Sequence, residues 1–386
     1  MMKKVILIFK KEILDTIRDN RTVFTCIITP FLLYPLIFTV MGYFMQSEIT
    51  KEARTVYGIG VINRPLMSEL YFYLDDTQKF NIIEGKEPIS MFKKNKVKAV
   101  LETKSTNEIS IYYDGADKQS HRVVKRIDSL ISEYQDSVLK MLILKEGLPA
   151  TILKPITVEK KNIAPAKKLG GFLIGVIIPY ILFIVAFSSA MHTAIDITAG
   201  EKERKTVETL LVADVKRSEI VLGKCCTCFT VALFATIFGL LGFVITTLWG
   251  FSIFKQIEKE VVFTIPWLSC IFILIVMFPL LWFFSSVLIA IGSFAKSVKQ
   301  ATAYSSYSLI VVLLLAVFSV LRISSPENSI FIIPVLNTAI LQQEILVGEI
   351  NKIHFLIATI SSIIYAMIAY ILAKMNFARE EILFQD

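Results

Sequence analysis

No stretch of this sequence forms the glycine-rich loop that cradles a nucleotide phosphate. Its Gly-Lys pairs, Gly85-Lys86 and Gly223-Lys224, lack the upstream glycine and the following Ser or Thr. The chain is therefore not expected to hydrolyse ATP by itself. A metalloprotease His-Glu pair, a nucleophile elbow and a carboxylate dyad within an apolar run are also missing, and no catalytic residue is assigned. Cysteine is sparse: Cys26, Cys225, Cys226, Cys228 and Cys270 all lie in or beside apolar segments. The polar region from Gln46 to Lys168 has none, which excludes a disulfide framework there. Cys225 and Cys228 share a helical face, but without a nearby histidine or fourth cysteine they read as packing residues, and no metal site is assigned. No Asp or Glu falls deep inside an apolar run, where an acid would mark a cation pathway.

Apolar length is what the sequence has in excess. The 386 residues are 54% hydrophobic, include 28 Phe, and have a mean hydropathy of +0.63. Several apolar runs reach the roughly 20 residues needed to cross a bilayer, so the chain reads as a polytopic α-helical membrane protein. The formal charge of +8 does not point to nucleic acid, because its Lys and Arg sit at segment ends and in one polar region without a nucleic-acid motif.

Residues 1 to 21 form an amphipathic lead-in. Ile6, Phe9, Ile13 and Ile17 fall on one helical face, with Lys3, Lys4, Lys11, Asp15 and Arg18 largely on others, the pattern of a helix lying in the membrane interface. Thr22 to Met45 is uncharged and long enough for a first span, TM1. The six positive residues before it place the amino terminus in the cytoplasm. Residues 46 to 168 then lie outside as an α/β domain, with strands expected at Thr55 to Ile62, Val97 to Glu102 and Glu108 to Tyr113 and a helix from Asp117 to Lys145. Five more spans follow: TM2 at Leu169 to Ile195, TM3 at Ile220 to Phe251, TM4 at Ile265 to Phe294, TM5 at Ala301 to Leu321 and TM6 at His354 to Ala373. Lys and Arg counts between spans return the carboxyl terminus, residues 375 to 386, to the cytoplasm. Within 324 to 353, the run Ile330 to Ile350 is broken by Pro334, Asn337, Gln342, Gln343 and Glu344, and is expected to be a re-entrant or interfacial hairpin on the outer face.

Polar side chains in the spans are mostly hydroxyls. Ser188, Ser189 and Thr193 in TM2, Ser285 and Ser286 in TM4, and Thr302, Ser305, Ser306 and Ser308 in TM5 bond back to their own helices or line a hydrated path between subunits. His192 and Asp196 at the cytoplasmic end of TM2 belong to the same candidate path. Between TM2 and TM3, residues 196 to 219 hold the charged island TAGEKERKTVETLLVADVKR. Glu201 is within helical reach of Arg204 and Lys205, which predicts a short exposed helix, and Val207, Leu210 and Leu211 form an apolar stripe on it. That stripe suits docking to a soluble subunit, whereas a merely solvated loop needs no stripe.

The stretches KKEILDTIRDNRTVFTCIITPFLLYPLIF and GEKERKTVETLLVADVKRSEIVLGK, together with the large outer domain between TM1 and TM2, resemble the ABC-2-type transporter permeases over nearly the whole chain. The first would be the interface helix, with Phe9, Ile13, Ile17 and Arg18. The second would be the ATPase-coupling segment, with Glu201, Glu203, Arg204, Thr206, Val207, Leu210 and Leu211. Asp214 stands where the family often has a proline. The resemblance implies the ABC-2 (type V exporter) architecture of six transmembrane helices in a bacterial cell membrane. It also implies a homodimer working with two copies of a cytoplasmic ATPase that binds ATP and Mg, in contact with lipid and not with nucleic acid. The resemblance extends to a branch that exports sodium, which makes sodium the implied cargo. The alternative cargo is an amphipathic peptide, antibiotic or lipid, and the alternative role is a non-transporting receptor.

Overall fold

The uncharged runs become long helices because a backbone in lipid must satisfy its own hydrogen bonds. The computed structural model describes residues 2–77, 79–85, 90, 97–105, 108–115, 117–146, 166–206, 215–250, 267–321 and 326–378. It divides into two units, Met1–Phe44 with Ile163–Asp386, and Met45–Asn162.

The first unit opens with α1 (Met2–Arg18), a π-helical turn at Phe24–Ile28 and α2 (Thr29–Arg54), whose residues from Met45 onward belong to the second unit. The second unit follows, with α3 (Ser68–Asp76) and α4 (Lys118–Lys145). The first unit then resumes with α5 (Ala166–Ile195), α6 (Arg217–Gly250), α7 (Trp267–Phe294), α8 (Val298–Leu321), α9 (Leu336–Val347) and α10 (Lys352–Ala378). Six segments among the described residues are long and apolar enough to cross a membrane: Phe24–Phe44, Gly175–Glu203, Arg217–Leu248, Trp267–Phe294, Val298–Leu321 and Lys352–Phe377. The chain is a multi-pass membrane protein. Helix α5 lies deepest, packed against α6, α7, α8 and α9, with Phe183 and Phe187 meeting Phe284 of α7 edge to face. The first span reaches α6 through Tyr34 and Phe38 against Phe243. A Cβ at the neighbouring Gly242 would run into the Phe31 carbonyl, so glycine is what lets these two backbones approach.

Between α8 and α10 the chain forms a 3-10 turn, Asn328–Ile332, and then α9, separated by Pro334. At 12 residues α9 rises about 18 Å, short of the ~30 Å hydrocarbon core. It is largely buried in protein, where Asn337 donates to the Ala358 carbonyl and to the Ser361 and Ser362 hydroxyls at 3.2, 2.8 and 3.0 Å.

The second unit is an α/β fold with a four-stranded sheet, whose first strand in the chain lies between the second and the third and whose fourth lies at the edge beside the third. Strand β1 (Tyr57–Ile62) runs parallel to β2 (Phe80–Glu84) and β3 (Ala99–Ser105), and β4 (Glu108–Tyr113) is antiparallel to β3. The strand β2 was not expected from sequence: its five residues, Phe-Asn-Ile-Ile-Glu, are too few to show a period. Between β1 and β2 lies α3 (Ser68–Asp76), and α4 (Lys118–Lys145) begins where the Asp117 carboxylate accepts the Gln119 N–H at 2.9 Å. Val123, Ile127 and Leu130 of α4 pack with Ile59, Leu101, Tyr71 and Leu74 in a core of its own.

Candidate coupling site

The basic, amphipathic α1 turns one edge toward α6. Ile8 and Glu12, one helical turn apart, are buried there, and a Cβ at Gly223 would come within 2.8 Å of Ile8 Cγ2. One residue on, Lys224 of α6 is 1% exposed in a helix that carries no other charge from there onward. All three of its N–H donors are used. The ammonium donates to Glu12 Oε1 at 3.3 Å, to Glu201 Oε2 at 2.6 Å and to the Ile197 carbonyl at 2.5 Å. Lys11, half exposed at the edge, closes the ring with Glu201 Oε1 at 3.0 Å and Glu12 Oε1 at 3.2 Å. Burial lowers the affinity of the Lys11 amine for its proton, but the carboxylates of Glu12 and Glu201 outweigh it and hold the amine above the ordinary value of 10.5. Two lysines and two glutamates thus form a neutral cluster joining α1, the segment after α5, and α6.

The segment after α5 is a hub. Helix α5 widens into a π-helical turn, Asp196–Gly200, and ends in a single turn, Glu201–Glu203. Four consecutive side chains leave it for different places. Glu201 faces the cluster just described. The Lys202 amine donates to the carbonyls of Ser293 and Ala295 at the end of α7. The Glu203 carboxylate accepts the Val298 N–H at 2.7 Å, capping the start of α8. Arg204 folds back to the Asp196 carboxylate at 2.9 Å and carbonyl at 3.1 Å.

This corrects the expectation of an exposed helix in which Glu201 pairs with Arg204 and Lys205. Lys205 has φ 55, the left-handed conformation, and the bonds Thr206 N–H to Glu201 O and Lys205 N–H to Lys202 O end the helix in a Schellman turn. Lys205 is therefore off the helix, Arg204 is taken by Asp196, and Glu201 is buried. Thr206 is exposed, its hydroxyl donating to the Glu201 carbonyl at 3.2 Å. Val207, Leu210, Leu211 and Asp214 lie outside the described residues. Beyond them the Glu219 carboxylate accepts the Lys216 N–H at 3.0 Å, which starts α6.

Of the interface-helix residues, Phe9 and Ile13 are half-buried, while Ile17 and Arg18 are exposed. The hydroxyls assigned to a path differ in burial and bonding. Ser189 and Thr193 are buried in α5, with the Thr193 hydroxyl returned to the Ser189 carbonyl at 3.2 Å, and Ser188 is half-buried. In α8, Thr302 is exposed and bonds back to Val298, whereas the buried Ser305 hydroxyl finds no partner among the described residues. His192 and Asp196 are both exposed. Sequence reasoning missed Glu12 and Lys224, although one signal was present: a lysine one turn after Ile220 and Val221 and directly before a long apolar run needs a counter-ion.

Comparison with known proteins follows the same lines. The ABC-2 family transporter protein model matches residues 6–382. The ABC transporter permease protein NatB of Bacillus subtilis (strain 168) is 22% identical over 389 residues, covering 97% of this chain and 98% of that protein. The chain belongs to the ABC-2 family of transporter proteins, as the permease subunit of an ABC transporter.

Proposed function

We propose that this permease is the membrane half of an ATP-driven exporter, in which two copies of the chain work with two copies of a separate ATPase that binds ATP and Mg, and that sodium is its cargo. The reading rests on the buried cluster of Lys11, Glu12, Glu201 and Lys224. An ATPase pressing on α1 or on the segment around Glu201 pushes on α6 through the cluster. The same segment reaches α7 through Lys202 and α8 through Glu203. In this reading both termini and residues 196 to 219 are cytoplasmic, and the domain between the first and second spans is outside. Hydroxyls on the open face of α8, Thr302 foremost, line a path between the two copies.

Sodium rests on the family resemblance. One observation favours an amphipathic cargo instead: an apolar groove of about 540 Å³ lined by Leu233, Leu274, Phe278, Trp282, Ile363 and Met367. Inside-out vesicles holding this chain and its ATPase decide between them. ATP-dependent accumulation of radioactive sodium is the expected result. Accumulation of a labelled amphipathic peptide or lipid with no sodium movement would replace sodium as the cargo.

A further inference from the structure

Helix α4 changes character partway along. From Ser120 through Val123, Ile127 and Leu130 to Tyr134 its buried and half-buried residues recur every three or four positions, the stripe that packs on the sheet. From Gln135 to Glu146 every residue except half-buried Ile143 is exposed. Yet this exposed part is the more apolar one. In the run Val138–Leu144 (VLKMLIL) six of seven residues are apolar, and Leu139, Met141, Leu142 and Leu144 are each at least half exposed. At about 100° per residue these side chains point all round the helix, so no single stripe remains.

We propose that this end of α4 inserts into the headgroup and acyl boundary of the bilayer, so that the second unit holds the membrane surface through α4. The distribution of the side chains chooses the occupant. A second copy pairing helix to helix would need one seam and would leave Leu139 and Leu144, on different sides, in water. Only a medium that surrounds the helix covers all six. The seven residues rise about 10 Å, the depth of an interfacial helix and too short for a span. Lys140 within the run and Lys145 at its end supply the cations that anionic headgroups attract.

The test uses the full chain in nanodiscs of phosphatidylethanolamine and phosphatidylglycerol, with the native cysteines replaced by alanine and an environment-sensitive fluorophore on Leu142→Cys. Blue-shifted emission, quenched by spin-labelled lipid, is expected, with water-like emission from Ser132→Cys on the sheet-packed part of the same helix. Water-like emission at 142 overturns the proposal. Blue-shifted emission that spin-labelled lipid does not quench also overturns it, because protein then covers the helix: a second copy or residues 147 to 165. Adding Leu139→Asp and Leu144→Asp to the labelled protein should sharply reduce quenching; unchanged quenching would count against insertion.

Discussion

Lys224 carries the largest single-residue consequence. Removing its charge with Lys224→Met leaves the half-exposed Lys11 as the one counter-ion of two buried carboxylates, Glu12 and Glu201, at a cost of about 3–5 kcal/mol. Adding Glu12→Leu and Glu201→Met takes away the excess buried negative charge and should recover most of that stability, since apolar replacement of a buried ion cluster is often neutral. Thermal unfolding in detergent measures both. ATP turnover stimulated by assembly separates structure from coupling: a stable triple variant that still couples normally would show that the cluster only holds the fold. Lys11 is the contrast. Its side chain is 48% exposed, so Lys11→Met should cost no more than about 1 kcal/mol. Because its folded-state pKa is raised, its contribution is whole below 10.5 and is lost as pH climbs through the folded value. The stability profiles of Lys11→Met and the unaltered protein should run parallel through neutral pH and converge only in alkali.

Among the elements, the short turn Glu201–Glu203 matters through what it caps. The Glu203 carboxylate satisfies the Val298 N–H, one of the donors that a helix start leaves free, and its negative charge faces the positive end of α8. Glu203→Ala should loosen the first turn of α8 by about 1 kcal/mol, seen as faster amide exchange over residues 298 to 301, while Glu203→Gln keeps an acceptor and loses less. Equal exchange in all three proteins would mean that the contact is not maintained in solution. Helix α9 shows the same logic. Its Asn337 amide exchanges water for a carbonyl and two hydroxyls of α10, so a helix too short to span buries its polar group with partners.

The whole molecule is a permease that has to meet an ATPase. If residues Val207 to Leu211 present an apolar stripe to that partner, Leu210→Asp places a carboxylate in the contact, a burial that costs several kcal/mol. The variant should insert in the membrane but fail to copurify the ATPase; recovery of the ATPase at the unaltered yield would remove this contact from the scheme. Topology is checked at the same scale. In a cysteine-free protein, Ser132→Cys should react with an impermeant maleimide on intact cells, and tags at either terminus should be reached only after permeabilisation. The reverse pattern would invert the arrangement.

Hydropathy and charge alone determined the class of this protein, because the bilayer dictates the length of a span whatever packs around it. The six spans were legible in this way, the interposed α/β domain and the helix that is α4 from local strand and 3.6-residue patterns, and the family from the resemblance of the stretches at 10–38 and 200–224. The partners of Glu201 were not. Spacing along the chain offers Arg204 and Lys205, but a left-handed Lys205 takes one away and Asp196 holds the other. The cluster that Glu201 joins unites positions 11, 12, 201 and 224. No periodicity relates them. Only the packing of α1 on α6 brings them together, and the cost of leaving a charge without water or counter-ion then decides which pairs form.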